Sequence, residues 1–223
     1  MIRTLKTEEG IQYPSGINQE NAEILIDEVK NTYFKDIKYS KNDIVFDIGA
    51  NIGVFTYLVA PKVKMVYSFE PEKNNFKILR LNSHFSNVKI FNNAVTNKEI
   101  GIDLYVDKGN IGGHSIFNNN KILDKPEKVQ TLNLQKLIDK YKPTILKIDI
   151  EGSEYLFQNI NFKTVKKIYI EFHLNCTFGN FEAEYIKLKN KLLTDGFKIV
   201  NEVEHCFKND GILNCISNLF VKK

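Results

Sequence analysis

Short runs of apolar, mostly β-branched residues alternate along the chain with stretches that carry apolar residues at helical spacing. The runs at residues 44–47, 65–70, 88–91, 144–149 and 167–172 predict five strands. Repeated strand–helix units form parallel sheets that helices cover on both faces. The pattern therefore predicts an α/β fold with a mostly parallel, Rossmann-like sheet.

Helices are expected between and beyond these strands. Two of them are predicted to begin near Gly53 and Glu72, a third follows Asn133 as its cap, and a fourth ends at Gly196. An apolar stripe near the N-terminus predicts a helical extension over residues 1–40, ahead of a main domain at 41–223.

Two regions depart from this alternation. Residues 101–106 and 128–132 predict extra strands, which flank a loop at 107–125 that is rich in Gly and Asn. Residues 197–204 and 213–221 predict a hairpin with no helix between its strands.

Composition narrows the protein class. The 223 residues are 43% hydrophobic and 26% charged, which excludes a disordered or low-complexity chain. The net charge is only +4, and Arg3 and Arg80 are the only arginines. Because nucleic-acid recognition favours Arg for bidentate contacts, no nucleic-acid partner is expected.

Compartment is inferred from the cysteines and from the absence of long apolar runs. No run approaches the roughly 20 residues that span a bilayer, and the N-terminus has no apolar leader. Cys176, Cys206 and Cys215 form no C-x-x-C pair, which predicts a reducing, cytoplasmic location without a structural disulfide or zinc. A Cys206–Cys215 bond across the hairpin stays open.

A glycine turn follows the first strand, where ligands of open parallel sheets bind. Asp47 precedes a G-x-x-x-G segment that begins at Gly49 and ends at Gly53, rather than the G-x-G-x-x-G of dinucleotide binders. Asn51 stands where a close pyrophosphate would favour Gly. A ligand with an amino group and a carboxylate suits this turn, with Asp47 receiving the ammonium. A plain strand–helix turn is the alternative.

The second strand ends at an acidic residue, Glu70. An acid about 20 residues beyond the glycine turn is placed to accept both hydroxyls of a ribose. The alternative is an acid that merely suits the N-terminus of the next helix. The two motifs together predict a nucleoside-bearing ligand.

Charged residues also occupy two later strands. Lys147 and Asp149 share one face of a strand that should be apolar, and Glu151 follows it. They are candidate catalytic groups, or Lys147 and Asp149 form a structural salt bridge. His173 ends another strand and could deprotonate a hydroxyl, or it is a structural histidine. His114, in the glycine-rich loop, either lines an acceptor pocket or is solvated.

At these residues the sequence resembles the FkbM-type S-adenosylmethionine-dependent methyltransferases over roughly residues 43–175. The segments that carry the resemblance are FDIGANIGVFT (46–56), FEPEKNNFKILRLN (69–82), NAV (93–95), GGHSI (112–116), TLNLQKLI (131–138), LKIDIEGSEYLFQN (146–159) and IEFH (170–173). The resemblance implies a seven-stranded class I methyltransferase fold with an antiparallel final strand. It also implies O-methylation of a sugar, a glycolipid or a small natural product.

The resemblance also assigns residues to S-adenosylmethionine. The glycine turn holds the methionine end, Glu70 the ribose and Asn93–Ala94 the adenine side, whereas Glu154 belongs to the motif after the later strand. Asn133 stands where the family usually has Asp, and both residues cap helices. The residues predicted to bind the cofactor are Asp47, Gly49, Ala50, Asn51, Gly53, Glu70, Pro71, Asn93, Ala94 and Asp149.

The predicted reaction is a direct displacement in which an acceptor hydroxyl attacks the sulfonium methyl. The base is Asp149 or His173, and Lys147 and Glu151 shape the charge around a small-molecule or glycan acceptor. A divalent ion near Asp149 and Glu151 is a second way to activate the hydroxyl.

Three other functions stay open. A nucleic-acid methyltransferase would commonly carry an N-P-P-Y-like loop where this chain has DIEG at 149–152. Asn51 argues against an NAD-dependent oxidoreductase. A non-catalytic binding module on the same scaffold is the third, since fold does not imply function.

Overall fold

A computed structural model of the protein describes residues 3–35, 37–106, 114–116, 125–176, 179–209 and 212–223. The strands are β1 (Thr4–Lys6), β2 (Gln12–Pro14), β3 (Ile44–Ile48), β4 (Met65–Phe69), β5 (Val88–Phe91), β6 (Ala94–Thr96), β7 (Gly101–Leu104), β8 (Glu127–Asn133), β9 (Ile145–Ile148), β10 (Lys167–Cys176), β11 (Gly179–Asn180), β12 (Lys198–Asn209) and β13 (Ile212–Lys222). The α-helices are α1 (Gln19–Val29), α2 (Val54–Val59), α3 (Lys73–Asn82), α4 (Leu134–Tyr141) and α5 (Glu182–Thr194). A π-helical turn, Lys30–Phe34, continues α1, and 3₁₀ turns occupy Ala60–Lys62 and Glu154–Phe157.

The central sheet has the strand order β12-β13-β10-β9-β3-β4-β5, and the short β11 pairs with the end of β10. Strands β5, β4, β3, β9 and β10 run parallel, whereas β13 lies antiparallel between β10 and β12. This confirms the predicted seven-stranded, mostly parallel sheet with an antiparallel C-terminal hairpin. The order reverses next to β3, so the carboxyl ends of β3 and β9 flank a crevice.

The predicted helix caps are present. Asn133 and Glu72 each accept a hydrogen bond from a backbone amide in the first turn of α4 and α3, and Gly53 precedes α2 in a left-handed conformation. Helices α4 and α5 cover one face of the sheet around Phe46 and Phe172. Helices α1 and α2 cover the other face.

The two extra strands predicted around the glycine-rich loop are confirmed as β7 and β8, and β6, which was not predicted, joins them in a small sheet of order β6-β8-β7. Of that loop, residues 107–113 and 117–124 lie outside the described residues. Ser115 pairs with Tyr105 through two backbone hydrogen bonds of 2.8 and 3.1 Å, which ties residues 114–116 to the end of β7.

The N-terminal segment differs from the expected helical extension in its first residues. It begins with an antiparallel hairpin of β1 and β2, followed by α1 and the π-helical turn. The side chain of Asn82 bonds both backbone groups of Gln12, at 2.7 and 2.9 Å, and so docks the hairpin on α3. The boundary near residue 40 stays a prediction.

The C-terminal hairpin holds a disulfide, which corrects the expectation of no structural disulfide. Cys206 and Cys215 face each other in the β12–β13 register, with their Cα atoms 4.2 Å apart. The spacing of cysteines along the sequence does not reveal this register. None of the described helices has the length and apolar character needed to cross a membrane. The cytoplasmic location stays a prediction, and the disulfide counts against it because such bonds persist in oxidising compartments.

Candidate active site

A cavity of about 710 Å³, open to solvent, lies at the carboxyl ends of β3, β4 and β9. Its walls are formed by Gly49, Asn51, Phe69, Glu70, Pro71, Asn75, Asn93, Ala94, Val95, Thr96, Leu104, His114, Ile116, Asp149, Ile150, Glu151 and Ser153.

The glycines of the turn after β3 are required by chain packing. Gly49 has φ +78°, and a Cβ atom there would lie 1.7 Å from the backbone oxygen of Asp149. Gly53 has φ +91°, and its Cβ would lie 2.7 Å from the Leu79 side chain of α3. Chain packing therefore accounts for both glycines. Gly49 also lines the cavity, and the close approach of a ligand to this turn stays a prediction.

Glu70 and Asn51 form the polar end of the cavity. One carboxylate oxygen of Glu70 accepts from the amide of Asn51 at 2.8 Å, and the other from the amide of Glu72 at 2.9 Å. Each oxygen keeps a lone pair for a ligand hydroxyl. Burial raises the pKa of Glu70 to about 7, although both amides oppose the shift.

Asp47 lies beneath the cavity and not on its wall. It is fully buried, accepts a 2.6 Å hydrogen bond from Thr56, and lies 3.4 Å from the Lys147 ammonium. Burial raises its pKa despite both partners. The expected direct contact with a ligand ammonium is therefore not supported. Ala50 and Gly53, also predicted to bind cofactor, are outside the residues that line the cavity.

The remaining predicted cofactor residues lie on the cavity wall, where Pro71, Asn93 and Ala94 follow the ends of β4 and β5. Sequence reasoning missed the apolar wall that Phe69, Val95 and Leu104 supply. Phe69 and Leu104 belong to predicted strands and Val95 to the NAV segment, and neither signal distinguishes a cavity wall from the core.

Lys147, on β9, is buried and contacts three groups at the ends of β3 and β9. Its ammonium donates to the carbonyl of Gly49 at 2.6 Å and lies 3.4 Å from both Asp47 and Asp149. Burial lowers the pKa of Lys147, but Asp149 and Asp47 outweigh burial and leave it above its usual value. The salt-bridge alternative for Lys147 and Asp149 is therefore present, and Lys147 does not line the cavity.

His173 is held between two carboxylates. Its Nε2 lies 3.1 Å from Glu151, and its Nδ1 lies 3.3 Å from Glu154. Burial lowers the pKa of His173, but these two carboxylates raise it well above its usual range. These contacts favour the protonated imidazole, and the residue is 5% exposed. Both ring nitrogens contact carboxylates, and His173 is outside the residues that line the cavity, so the geometry favours Asp149 over His173 as the base.

Asp149 ends β9 on the cavity wall, and its side chain is 27% exposed. Its Oδ2 accepts a hydrogen bond from the hydroxyl of Tyr33 at 3.3 Å and lies 3.4 Å from Lys147. Tyr33 comes from the N-terminal segment and was missed. In the sequence it belongs to an apolar stripe, where an aromatic residue is read as core.

Glu151 and the loop residues 114–116 close the cavity above Asp149. Glu151 has φ +51°, a conformation that costs a residue with a side chain about 1 kcal/mol or more. Its carbonyl accepts a 2.6 Å hydrogen bond from the hydroxyl of Ser115. The neighbouring His114 lines the cavity, as predicted, although its role there stays a prediction.

Two further carboxylates face Asp149, and neither was predicted as a site residue. Burial and the charge of Asp149 raise the pKa of Glu171, on β10, to about 8. Burial and then Asp149 also raise the pKa of Glu28, on α1. The charge of Asp149 therefore opposes the ionisation of both carboxylates.

The side chains near Asp149 do not converge as a metal site. In the part of the chain that the structure describes, only Glu204, Cys206 and Cys215 bring three ligand atoms close together, and the two sulfurs there are bonded to each other. Asp149 and Glu151 lack a third converging ligand among the described residues, so no step is derived through a divalent ion.

Comparison with known families identifies one domain. The model of the methyltransferase FkbM domain matches residues 47–201, which includes the end of β3 and all of β4, β9 and β10. No curated protein matches the sequence.

Solved structures share the fold at low identity. TYW2 of M. jannaschii in complex with AdoMet is 15% identical with a TM-score of 0.53, and the match covers 100% of this chain and 86% of that one. Trm5b from Pyrococcus abyssi is 11% identical with a TM-score of 0.54, over 100% and 56%. TYW2 of P. horikoshii in complex with MeSAdo is 13% identical with a TM-score of 0.50, over 100% and 72%. These likenesses confirm the Rossmann-like methyltransferase fold.

Proposed function

Because the chain belongs to the FkbM methyltransferase family, we propose that it methylates a hydroxyl of a sugar, a glycolipid or a small natural product, with S-adenosylmethionine as the donor. The observation that carries the proposal is the placement of Asp149. This carboxylate ends a central strand on the wall of the cavity, and two protein groups hold one of its oxygens.

The cavity residues fit the proposed cofactor. Glu70 offers two carboxylate lone pairs to ribose hydroxyls, and the apolar side chains of Phe69, Val95 and Leu104 suit a flat adenine ring. The turn at Gly49 and Asn51 borders the same cavity and would receive the methionine end. When bound, S-adenosylmethionine supplies an electrophilic methyl group.

Asp149 is the proposed base. Tyr33 and Lys147 both contact its Oδ2, and no described residue bonds its Oδ1, which leaves Oδ1 available to the acceptor hydroxyl. A hydroxyl that bonds Oδ1 would lose its proton to Asp149 as its oxygen becomes the nucleophile. Lys147 acts through Asp149 as a positioning residue. Glu151 is the anion that pairs with protonated His173 and borders the acceptor.

The charge of this edge favours an acceptor without a phosphate near the reacting hydroxyl. Glu171 keeps its proton near neutral pH partly because Asp149 is charged, and both cations, Lys147 and His173, are already paired with carboxylates. A further anion placed here would be repelled. The same argument counts against the nucleic-acid alternative, in which phosphates flank the target.

The test is methyl transfer from radiolabelled S-adenosylmethionine to a panel of neutral oligosaccharides, glycolipids and polyhydroxylated natural products. We expect Asp149→Asn to lower turnover about 100-fold or more, the usual effect of removing a general base, while S-adenosylhomocysteine binds within about twofold of wild type. The exposed Asp139→Asn is the matched control. Full turnover by Asp149→Asn would remove its catalytic role, and a chain that binds no S-adenosylhomocysteine would favour the non-catalytic scaffold.

A further inference from the structure

The N-terminal segment lies outside the residues that match the family, yet it reaches the centre of the site. We propose that Tyr33 is a positioning residue that orients the carboxylate of Asp149. Residues 17–35 therefore contribute to the active site. The inference deepens the proposed function and rests on it for the role of Asp149 as base.

The tyrosine ring is fixed by its neighbours. Tyr33 is 4% exposed, and its ring centroid lies 4.5 Å from that of Tyr169 and 5.4 Å from that of Phe55, both in edge-on contacts. The Lys147 ammonium lies 5.6 Å from the same centroid. With the ring held on several sides, the hydroxyl has one direction available, towards Asp149.

The backbone around Tyr33 is also specialised. It lies in the π-helical turn at the end of α1, a rare wider turn that is frequent at functional sites. The hydroxyl of Tyr39 donates to the carbonyl of Tyr33 at 2.8 Å and so fixes the turn from the following segment. The wider turn rotates the ring relative to a regular α-helix.

The direction of the hydrogen bond follows from the charges around it. Burial, and then Asp149 and Glu171, raise the pKa of Tyr33 well above its usual value, so the phenol keeps its proton. It therefore donates to Oδ2 of Asp149. A phenylalanine would make the same ring contacts, so packing alone does not require the hydroxyl.

Lys147 by itself leaves the carboxylate free to turn. The ammonium lies 3.4 Å from Oδ2, and it must also serve Asp47 and the carbonyl of Gly49. A second, rigid donor on the same oxygen fixes the plane of the Asp149 carboxylate and leaves Oδ1 towards the acceptor. The two donors come from β9 and from the N-terminal segment, 116 residues apart in the case of Tyr33.

Four charged groups surround Asp149, and the test must leave them unchanged. Lys147 lies 3.4 Å from its Oδ2, while burial and, less strongly, the charge of Asp149 raise the pKa values of Glu28, Glu171 and Glu151. Tyr33→Phe leaves all four groups in place and removes one hydrogen bond to the Asp149 carboxylate.

The experiment follows the ¹³Cγ signal of Asp149 by NMR in protein labelled at aspartate, with the signal assigned by its loss in Asp149→Asn. In Tyr33→Phe we expect the ¹³Cγ chemical shift of Asp149, measured at pH 7, to differ from that of wild type by more than the linewidth, because the carboxylate loses a hydrogen-bond donor on its Oδ2. The matched control is Tyr57→Phe, whose hydroxyl bonds the carbonyl of Glu9 away from the site.

An unchanged ¹³Cγ chemical shift of Asp149 in Tyr33→Phe would overturn the proposal, as would an equal change in Tyr57→Phe. S-adenosylhomocysteine binding, unchanged within about twofold of wild type, verifies that Tyr33→Phe is folded. If Tyr33→Phe loses this binding, replacement of Tyr33 by a fluorinated tyrosine, which keeps the ring and makes the hydroxyl a stronger donor, must change the ¹³Cγ chemical shift of Asp149 instead. The NMR result does not depend on methyl transfer, so a failed proposed function would leave it intact and distinguishable.

Discussion

The two sides of the cavity are held together in different ways. On the side of β3 and β4, carboxylates and amides that are close in the sequence bond each other, as when Glu70 accepts from Asn51 and Glu72. On the side of β9 and β10, polar side chains from distant segments of the chain bond one another. Asp149, for example, accepts a hydrogen bond from Tyr33, which is 116 residues away in the sequence.

The β3–β4 side is therefore the rigid side, and the β9–β10 side is the charged side. The first side depends on backbone shape, with the Gly49 turn pressed against the backbone of Asp149. The second depends on pairing buried charges, such as His173 with Glu151 and Glu154. We therefore expect steric changes to break the first side and changes of charge to break the second.

The largest effect is expected from Gly49→Ala. The added methyl would overlap the oxygen of Asp149, and the left-handed φ disfavours alanine as well. We expect a loss of about 4 kcal/mol in the free energy of unfolding, measured by urea denaturation. In Gly16→Ala, where the methyl meets nothing within 4 Å, the change should stay within about 0.5 kcal/mol. Equal stability of the two variants would contradict the steric account.

The next effect tests the charged side. His173→Phe removes the cation between Glu151 and Glu154 and leaves two carboxylates in a buried setting without it. We expect a loss of about 3 kcal/mol, as for other buried pairs that lose one partner. The exposed His205→Phe is the control and should change stability little. A much smaller loss in the free energy of unfolding of His173→Phe would show that the ion pairs of His173 with Glu151 and Glu154 do not stabilise this side.

The smallest effect concerns cofactor affinity on the rigid side. Burial raises the pKa of Glu70 to about 7, so its carboxyl is mostly protonated at pH 6 and mostly ionised at pH 8. The ionised form accepts hydroxyl donors more strongly. Calorimetry should therefore show S-adenosylhomocysteine binding about fivefold more tightly at pH 8 than at pH 6.

The pH dependence should disappear in Glu70→Gln and persist in Glu99→Gln, a surface variant. Affinity that rises with pH in Glu70→Gln as well would assign the titration to another group. Affinity that falls with pH in the wild type would contradict the proposed ribose contact.

The sequence by itself determined the main parallel strands, the order of the motifs and several residues of the cavity wall. Asn51 and Glu70 were predicted because each follows an apolar strand, and the carboxyl ends of parallel strands meet at one edge, whereas Asn93 was predicted from the family resemblance. Patterns of this kind are local, since a strand and the turn after it are specified by neighbouring residues.

Only the tertiary structure decided which groups surround Asp149 and what they do. Tyr33 and Ser115 contact the site from other segments of the chain, and local sequence patterns did not predict these contacts. The disulfide depends on the register of the β12–β13 hairpin. The pKa of His173 is raised because two carboxylates flank it. Contacts between distant segments, and the pKa values that follow from burial and neighbouring charge, depend on distances that no local pattern of residue types contains.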